Sequence, residues 1–204
     1  CESSKRIKRE NKRLLIIIKK GKTMNAKELK QTLKKMIPAN LPVLIKGAPG
    51  IGKSDIVMQT AKELDYDIII SHPVISDPTD YKGLPAVVNG EAEFLPYGDL
   101  RKLLSVKKKT ICFLDDIGQA PAVVQAALMQ LLLARQINGV KIDDKVIFVA
   151  ATNRREDKAG VTGVLSPVKS RFAAILELNV DPEIWIEWAF ENDMPAALIG
   201  FVHF

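Results

Sequence analysis

Apolar residues concentrate in five short runs: Pro42–Lys46, Asp67–Ser71, Thr110–Leu114, Lys145–Ala150 and Ala173–Leu178. Each is five or six residues long and bounded by turn-forming or charged residues, the pattern of strands buried on both faces. Helical spacing fills the intervals. Asn25 is placed to cap a helix running to Met36. Ile56, Val57, Thr60, Ala61 and Leu64 recur at i, i+1, i+4, i+5 and i+8, one face of a second helix. Further helices are expected over Gly98–Val106, from Pro121 (at the tolerated first position) to Leu133, and after the pairs Ser166-Pro167 and Asp181-Pro182. Asn89-Gly90 and Asn138-Gly139, each between short β-prone segments, predict two type I′ hairpins. Ser76–Pro85 (SDPTDYKGLP) has no periodicity and is expected as a loop. Strands alternating with helices imply an α/β fold with a mostly parallel sheet covered on both sides.

The first strand runs into Gly47-Ala48-Pro49-Gly50-Ile51-Gly52-Lys53-Ser54, which satisfies G-x-x-x-x-G-K-[ST]. An ordinary glycine-rich turn is the alternative, but strand, loop and helix together are the context in which this pattern cradles phosphate. Gly47, Gly50 and Gly52 are expected at positive φ, allowing close backbone approach to a ligand. N–H groups at the positive end of the following helix suit a phosphate chain. Lys53 would reach the β- and γ-phosphates and the Ser54 hydroxyl a Mg²⁺ ion.

Composition adds an asymmetry. The formal net charge is +6, yet nine Lys/Arg between Lys5 and Lys22 against Glu2 and Glu10 put +7 in residues 1–23. The remaining 21 basic and 22 acidic residues leave −1, so the body of the chain has no charge excess of the nucleic-acid-binding kind. Residues 1–23 read either as a basic arm for nucleic acid or a membrane surface, or as an upstream extension outside the working protein, with Met24 opening the first helical stretch. The latter is favoured. Leu14–Ile18 is too short for a signal-peptide core, and no run approaches the ~18 apolar residues of a membrane span. Two cysteines, Cys1 and Cys112, make no disulfide framework; with Cys112 inside an apolar strand, a reducing cytoplasmic setting is expected. The apolar stretch up to Phe204 reads as a fragment's end.

Three further positions carry candidate chemistry. Asp115-Asp116 closes the third strand, where the first acid would support Mg²⁺ and the second orient the attacking water. Adjacent carboxylates repel unless a cation lies between them. Asn153 ends the fourth strand with a neutral donor–acceptor amide suited to a γ-phosphate and water. Arg171, expected to be exposed, follows the short helix and could reach a γ-phosphate in trans. Asp115-Asp116-Ile117-Gly118 also fits the GTPase pattern D-x-x-G, but Asn153-Arg154-Arg155-Glu156 lacks the Lys and Asp of N-K-x-D, which argues against guanine. His72 is expected to pack at a strand end, and Trp185 and Trp188 in the core or a subunit contact.

GAPGIGKS, SDPTDYKGLP, ICFLDDIGQAPAVVQAALMQLL, FVAATN and SPVKSRF, in that order, resemble the MoxR-like branch of the AAA+ P-loop ATPases over about residues 41–189. The resemblance implies a five-stranded sheet in the order 5-1-4-3-2, followed by a helical lid, with both hairpins as inserts. The domain expectation is a leader at 1–23, a nucleotide-binding core at 24–178 and the start of a truncated lid at 179–204. It assigns ATP to Gly47, Ala48, Pro49, Gly50, Ile51, Gly52, Lys53, Ser54 and Asp55, and Mg²⁺ to Ser54 and Asp115. Asp116 and Asn153 take the catalytic and first-sensor places, and Arg171 that of the arginine finger of a ring, typically a hexamer. The family's role is chaperone-like remodelling, often with a von Willebrand factor A-type partner. Two departures stand out. Asp116 occupies the place of a longer Glu, and the second-sensor arginine has no assignable position. An ATP-dependent binding switch with negligible turnover and a DNA-associated ATPase are the alternatives.

Overall fold

The computed structural model of the chain describes residues 23–154 and 163–203. The leader, apart from Thr23, and residues Arg155 and Glu156 lie outside the described residues. The described residues begin with β1 (Thr23–Met24) and α1 (Ala26–Met36). The Asn25 side chain accepts from the Glu28 N–H at 2.9 Å, and the Asn25 N–H donates to Glu28 Oε2 at 3.3 Å. This reciprocal box satisfies two groups that the first turn cannot pair by itself. Leu29, Leu33 and Met36 recur on one face and are fully buried.

β2 (Val43–Gly47) runs through the glycine loop into α2 (Lys53–Glu63), and β3 (Asp67–Ser71) follows. The expected loop is more ordered than its composition suggested. A 3₁₀ turn at Pro73–Ile75 precedes a one-turn helix, α3 (Thr79–Lys82), whose start is held by Asp77 accepting from the Thr79 N–H and hydroxyl, each at 2.9 Å. β4 (Leu84–Val88) and β5 (Glu91–Leu95) form the first hairpin, then α4 (Gly98–Leu104) leads to β6 (Thr110–Leu114). After α5 (Ala122–Ala134) come β7 (Gln136–Ile137) and β8 (Val140–Lys141), the second hairpin. Asn89 and Gly90 have φ of 52° and 88°, and Asn138 and Gly139 49° and 82°, so both turns are left-handed at both central residues. β9 (Val146–Asn153), α6 (Ser166–Lys169), β10 (Ala174–Leu178), α7 (Pro182–Glu191) and α8 (Ala196–His203) complete the described chain.

One parallel sheet runs in the order β1-β10-β2-β9-β6-β3. The expected 5-1-4-3-2 order therefore holds for the five main strands, and Thr23–Met24 adds a sixth at the edge. Alternation along each strand divides two cores. Ile45, Phe113 and Val149 join Leu29, Leu33 and Val57 on one face; Leu44, Leu114 and Phe148 join Leu100, Val124 and Leu128 on the other. Both faces being covered explains why the central strands read as unbroken apolar runs.

Two helix starts differ from expectation. Pro121 is the N-cap of α5 rather than its first residue, at φ −53° and ψ 147°. Ser166 lies inside α6, whose N-cap is Leu165 with no side-chain cap bond. Asp181 does cap α7, accepting from the Ile184 N–H at 3.3 Å. Among the described residues no helix is long and apolar enough to cross a membrane.

Candidate functional site

Parallel pairing sets Gly47 opposite Leu178 on one side and Asn153 on the other, and Ser71 opposite Leu114. The carboxyl ends of the main strands therefore meet at one rim, where open α/β sheets bind ligands. Pro49, Gly50, Gly52, Lys53, Ser54, Asp55, Asp115, Asp116 and Asn153 line a single cleft there. The glycines serve in two ways. Gly52 has φ 84° and is the N-cap of α2 with no side chain closing the helix start, which leaves the first-turn donors for a ligand. Gly47 is not at positive φ, contrary to expectation. A Cβ there would stand 2.7 Å from Ile51 Cδ1 and 3.0 Å from Leu178 O, so close packing of loop on sheet requires it.

Lys53 is buried, and its ammonium donates to Ala48 O at 2.7 Å, Gly47 O at 3.3 Å and Asn153 Oδ1 at 2.7 Å. Asn153 in turn donates through Nδ2 to Asp116 Oδ1 at 3.2 Å, using both halves of its amide. The Ser54 hydroxyl donates to Asp115 Oδ2 at 2.7 Å, while Asp115 Oδ1 accepts the Asp116 N–H at 3.1 Å. The Asp115 N–H donates to Ser71 O at 2.9 Å, fixing the acid to the end of the adjoining strand. Asp116 sits in the left-handed region at φ 54°, ψ 36°, sparsely occupied by non-glycine residues. Burial first, and then the Asp115 charge, push its carboxyl above the usual range, against the pull of Lys53 and His72.

His72 corrects an expectation: it is exposed rather than packed, near enough to Asp116 for its charge to be felt there. Its place one residue beyond β3, beside the anchor of Asp115, was the signal available in the sequence. Arg171 is half-buried rather than exposed, its Nε is shielded without a hydrogen-bond partner, and it is not among the residues lining the cleft. Trp185 and Trp188 are half-buried on α7.

The donor set fits a nucleotide with Mg²⁺. Among the described residues no three His, Cys, Asp or Glu side chains converge on one point. The Ser54 hydroxyl and the Asp115 carboxylate, hydrogen-bonded at 2.7 Å, are oxygen donors of the kind Mg²⁺ takes in small number beside phosphate oxygens.

A family model described as AAA domain (dynein-related subfamily) matches residues 42–172. Among solved structures, a candidate ATPase from Cytophaga hutchinsonii is 21% identical, with a TM-score of 0.61 over 94% of this chain and 58% of that one. The Thermotoga maritima RuvB P216G mutant is 24% identical, with a TM-score of 0.57 over 80% of this chain and 50% of that one. RuvB of the same organism, described as a Holliday junction branch migration motor, is 24% identical at a TM-score of 0.56, covering 82% and 51%. This chain thus spans about half the length of the structures it resembles, and the likeness concerns the fold. Among curated proteins no sequence matches it.

Proposed function

The chain belongs to the AAA domain family, in its dynein-related subfamily, and from that premise we propose that it binds ATP with Mg²⁺ and hydrolyses it to remodel a protein partner. The observation that carries this reading is the convergence of Lys53, Ser54, Asp115, Asp116 and Asn153 on one cleft at the carboxyl rim of the sheet. Gly47, Ala48, Pro49, Gly50, Ile51 and Gly52 form the phosphate cradle, and Asp55 borders it in the first turn of α2. Lys53 supplies the positive charge for the β- and γ-phosphates. Ser54 and Asp115 hold Mg²⁺, which when bound neutralises phosphate charge. Asp116 orients the attacking water, and Asn153 offers a neutral amide to water and phosphate. A carboxyl pushed up by burial is the better proton acceptor, which suits that task at neutral pH.

Assembly into a homo-oligomeric ring, typically a hexamer, is what the MoxR-like resemblance implies, with Arg171 in the place of its arginine finger. Its unpartnered Nε, away from its own cleft, supports an arginine that completes a neighbouring subunit's site. The MoxR-like motifs favour a chaperone-like role with a protein or von Willebrand factor A-type partner, in the cytoplasm. A second reading, an ATP-controlled binding switch with little turnover, is favoured by Asp116, one methylene shorter than Glu and on a left-handed backbone. RuvB is described as a Holliday junction branch migration motor; here residues 24–204 carry a formal charge near −1, which does not favour a nucleic-acid motor. Steady-state ATP hydrolysis with and without duplex DNA separates the three. DNA-independent turnover supports the remodeller, tight ATP binding without turnover the switch, and DNA stimulation the motor.

A further inference from the structure

We propose that Gln125 is a positioning residue for Arg171, tying the segment that presents the arginine to the turn that carries Asp116. The proposal rests on the reading of Arg171 as a group acting on a neighbouring subunit's nucleotide. Gln125 interrupts the apolar face of α5, yet its side chain is only 1% exposed. A buried amide is costly unless paired. Every partner of this one is a backbone group. Nε2 donates to Ala120 O and to Gly163 O, both at 3.1 Å, and Oε1 accepts the Leu165 N–H at 2.8 Å.

Those partners lie on two functional segments. Ala120 ends the 3₁₀ turn that starts directly after Asp116. Gly163 and Leu165 lead into α6, of which Leu165 is the N-cap. A backbone bond from the Gly163 N–H to Gly118 O, at 3.0 Å, ties the same two segments a second time. Downstream the placement is equally fixed. The Arg171 N–H donates to Val168 O at 3.0 Å, Phe172 is buried in the core beside α5, and the Ala173 N–H donates to Pro42 O at 2.8 Å. The Arg171 Nε is shielded and has no hydrogen-bond partner, so no bond at that atom fixes the guanidinium. Orientation comes from the backbone that Gln125 holds.

In a ring, Asp116 would serve the subunit's own nucleotide and Arg171 the neighbour's. The Gln125 clamp makes these two groups one rigid piece, so a shift of the acid turn in one cleft moves the arginine presented to the next. Misplacement of a catalytic group by about an ångström costs on the order of 10²-fold in rate.

The test is steady-state ATP hydrolysis by the full chain at concentrations where it assembles. Gln125→Met keeps the length and burial but removes all three bonds. It should lower kcat by about 10- to 10²-fold with KM for ATP within about threefold, because the phosphate cradle is untouched. In an Arg171→Ala background the same change should cause no further fall. Leu165→Pro is the gentler variant. Leu165 already has φ −58° and an exposed side chain, so proline suits its own backbone while removing the N–H that Gln125 accepts, and kcat should fall by a smaller factor. A folded Gln125→Met with normal kcat overturns the proposal. If that variant does not fold, Leu165→Pro decides, and unchanged turnover there overturns it equally. A full additive loss in the Arg171→Ala background also overturns the clamp, leaving the arginine's role intact. Normal turnover of Arg171→Ala alone overturns the reading of Arg171 and the clamp with it.

Discussion

Lys53 and Asn153, one hundred residues apart in sequence, meet at 2.7 Å through the lysine ammonium and the asparagine Oδ1. The contact follows from register: Gly47 at the end of β2 pairs with Asn153 at the end of β9. The other half of the same amide reaches Asp116 at 3.2 Å, so one neutral side chain joins the Lys53 ammonium to the Asp116 carboxylate. Asn153→Ala should keep nucleotide affinity within several-fold but lower kcat by about 10²-fold, the scale of losing one positioned donor. Parallel nucleotide titration and hydrolysis assays check it.

Asp116→Asn should retain ATP binding and abolish turnover, whereas Asp116→Glu should preserve or raise turnover by extending the carboxylate. A loss of binding in the Asn variant would reassign Asp116 to the metal. The same variant has a stability signature. The native Asp116 pKa is raised by burial and by Asp115, so its neutral form favours folding. That contribution is fully present below the unfolded carboxyl pKa and is lost as pH rises through the native value. With chelator present, Asp116→Asn should therefore raise Tm at neutral pH and lose that advantage in acid. Thermal melts across pH measure it; an advantage that grows in acid would contradict the assignment.

The strands and the phosphate loop were legible because they leave local marks. Buried parallel strands are continuous apolar runs, and the loop's glycines, Lys53 and Ser54 fall at fixed spacing. Asn-Gly likewise announced both hairpins. What was illegible depends on distant neighbours. Two residues, Thr23–Met24, carry no period, and their strand exists because β10 offers an edge. Gly47 was ascribed to positive φ, but the cause is Leu178, brought beside it by the sheet. Gln125 looks like a blemish in an apolar helix until Gly163 and Leu165 arrive from about forty residues away. Arg171 looked exposed because its burial comes from tertiary packing.

Arg171→Ala should leave ATP binding by the isolated subunit nearly intact and cut hydrolysis by about 10³-fold or more. Mixing it with Lys53→Ala should restore part of the activity, since a mixed ring can set an intact cradle against an intact arginine. Native mass measurement would first show whether mixed rings form. No rescue at any ratio in such rings would count against an arginine acting across subunits.

Asn25→Ala tests the frame rather than the chemistry. Losing the side-chain half of the box with Glu28 should destabilise the chain by about 1 kcal/mol in denaturant titration without altering nucleotide affinity. A changed affinity would mean that α1 contributes to the cleft.

The central claim is that this cleft holds the phosphates of ATP with Mg²⁺. Calorimetric titration of the chain with a slowly hydrolysed ATP analogue, with Mg²⁺ and with chelator, for wild type and Lys53→Ala, tests it most directly. In this account Lys53 would be the cation of the cradle and Ser54 and Asp115 its metal donors; all three line the cleft. The account predicts saturable one-to-one binding by the wild type, weakened by chelator and reduced at least about 10²-fold in Lys53→Ala. Equal affinity in Lys53→Ala, or no binding by folded wild type, would contradict it.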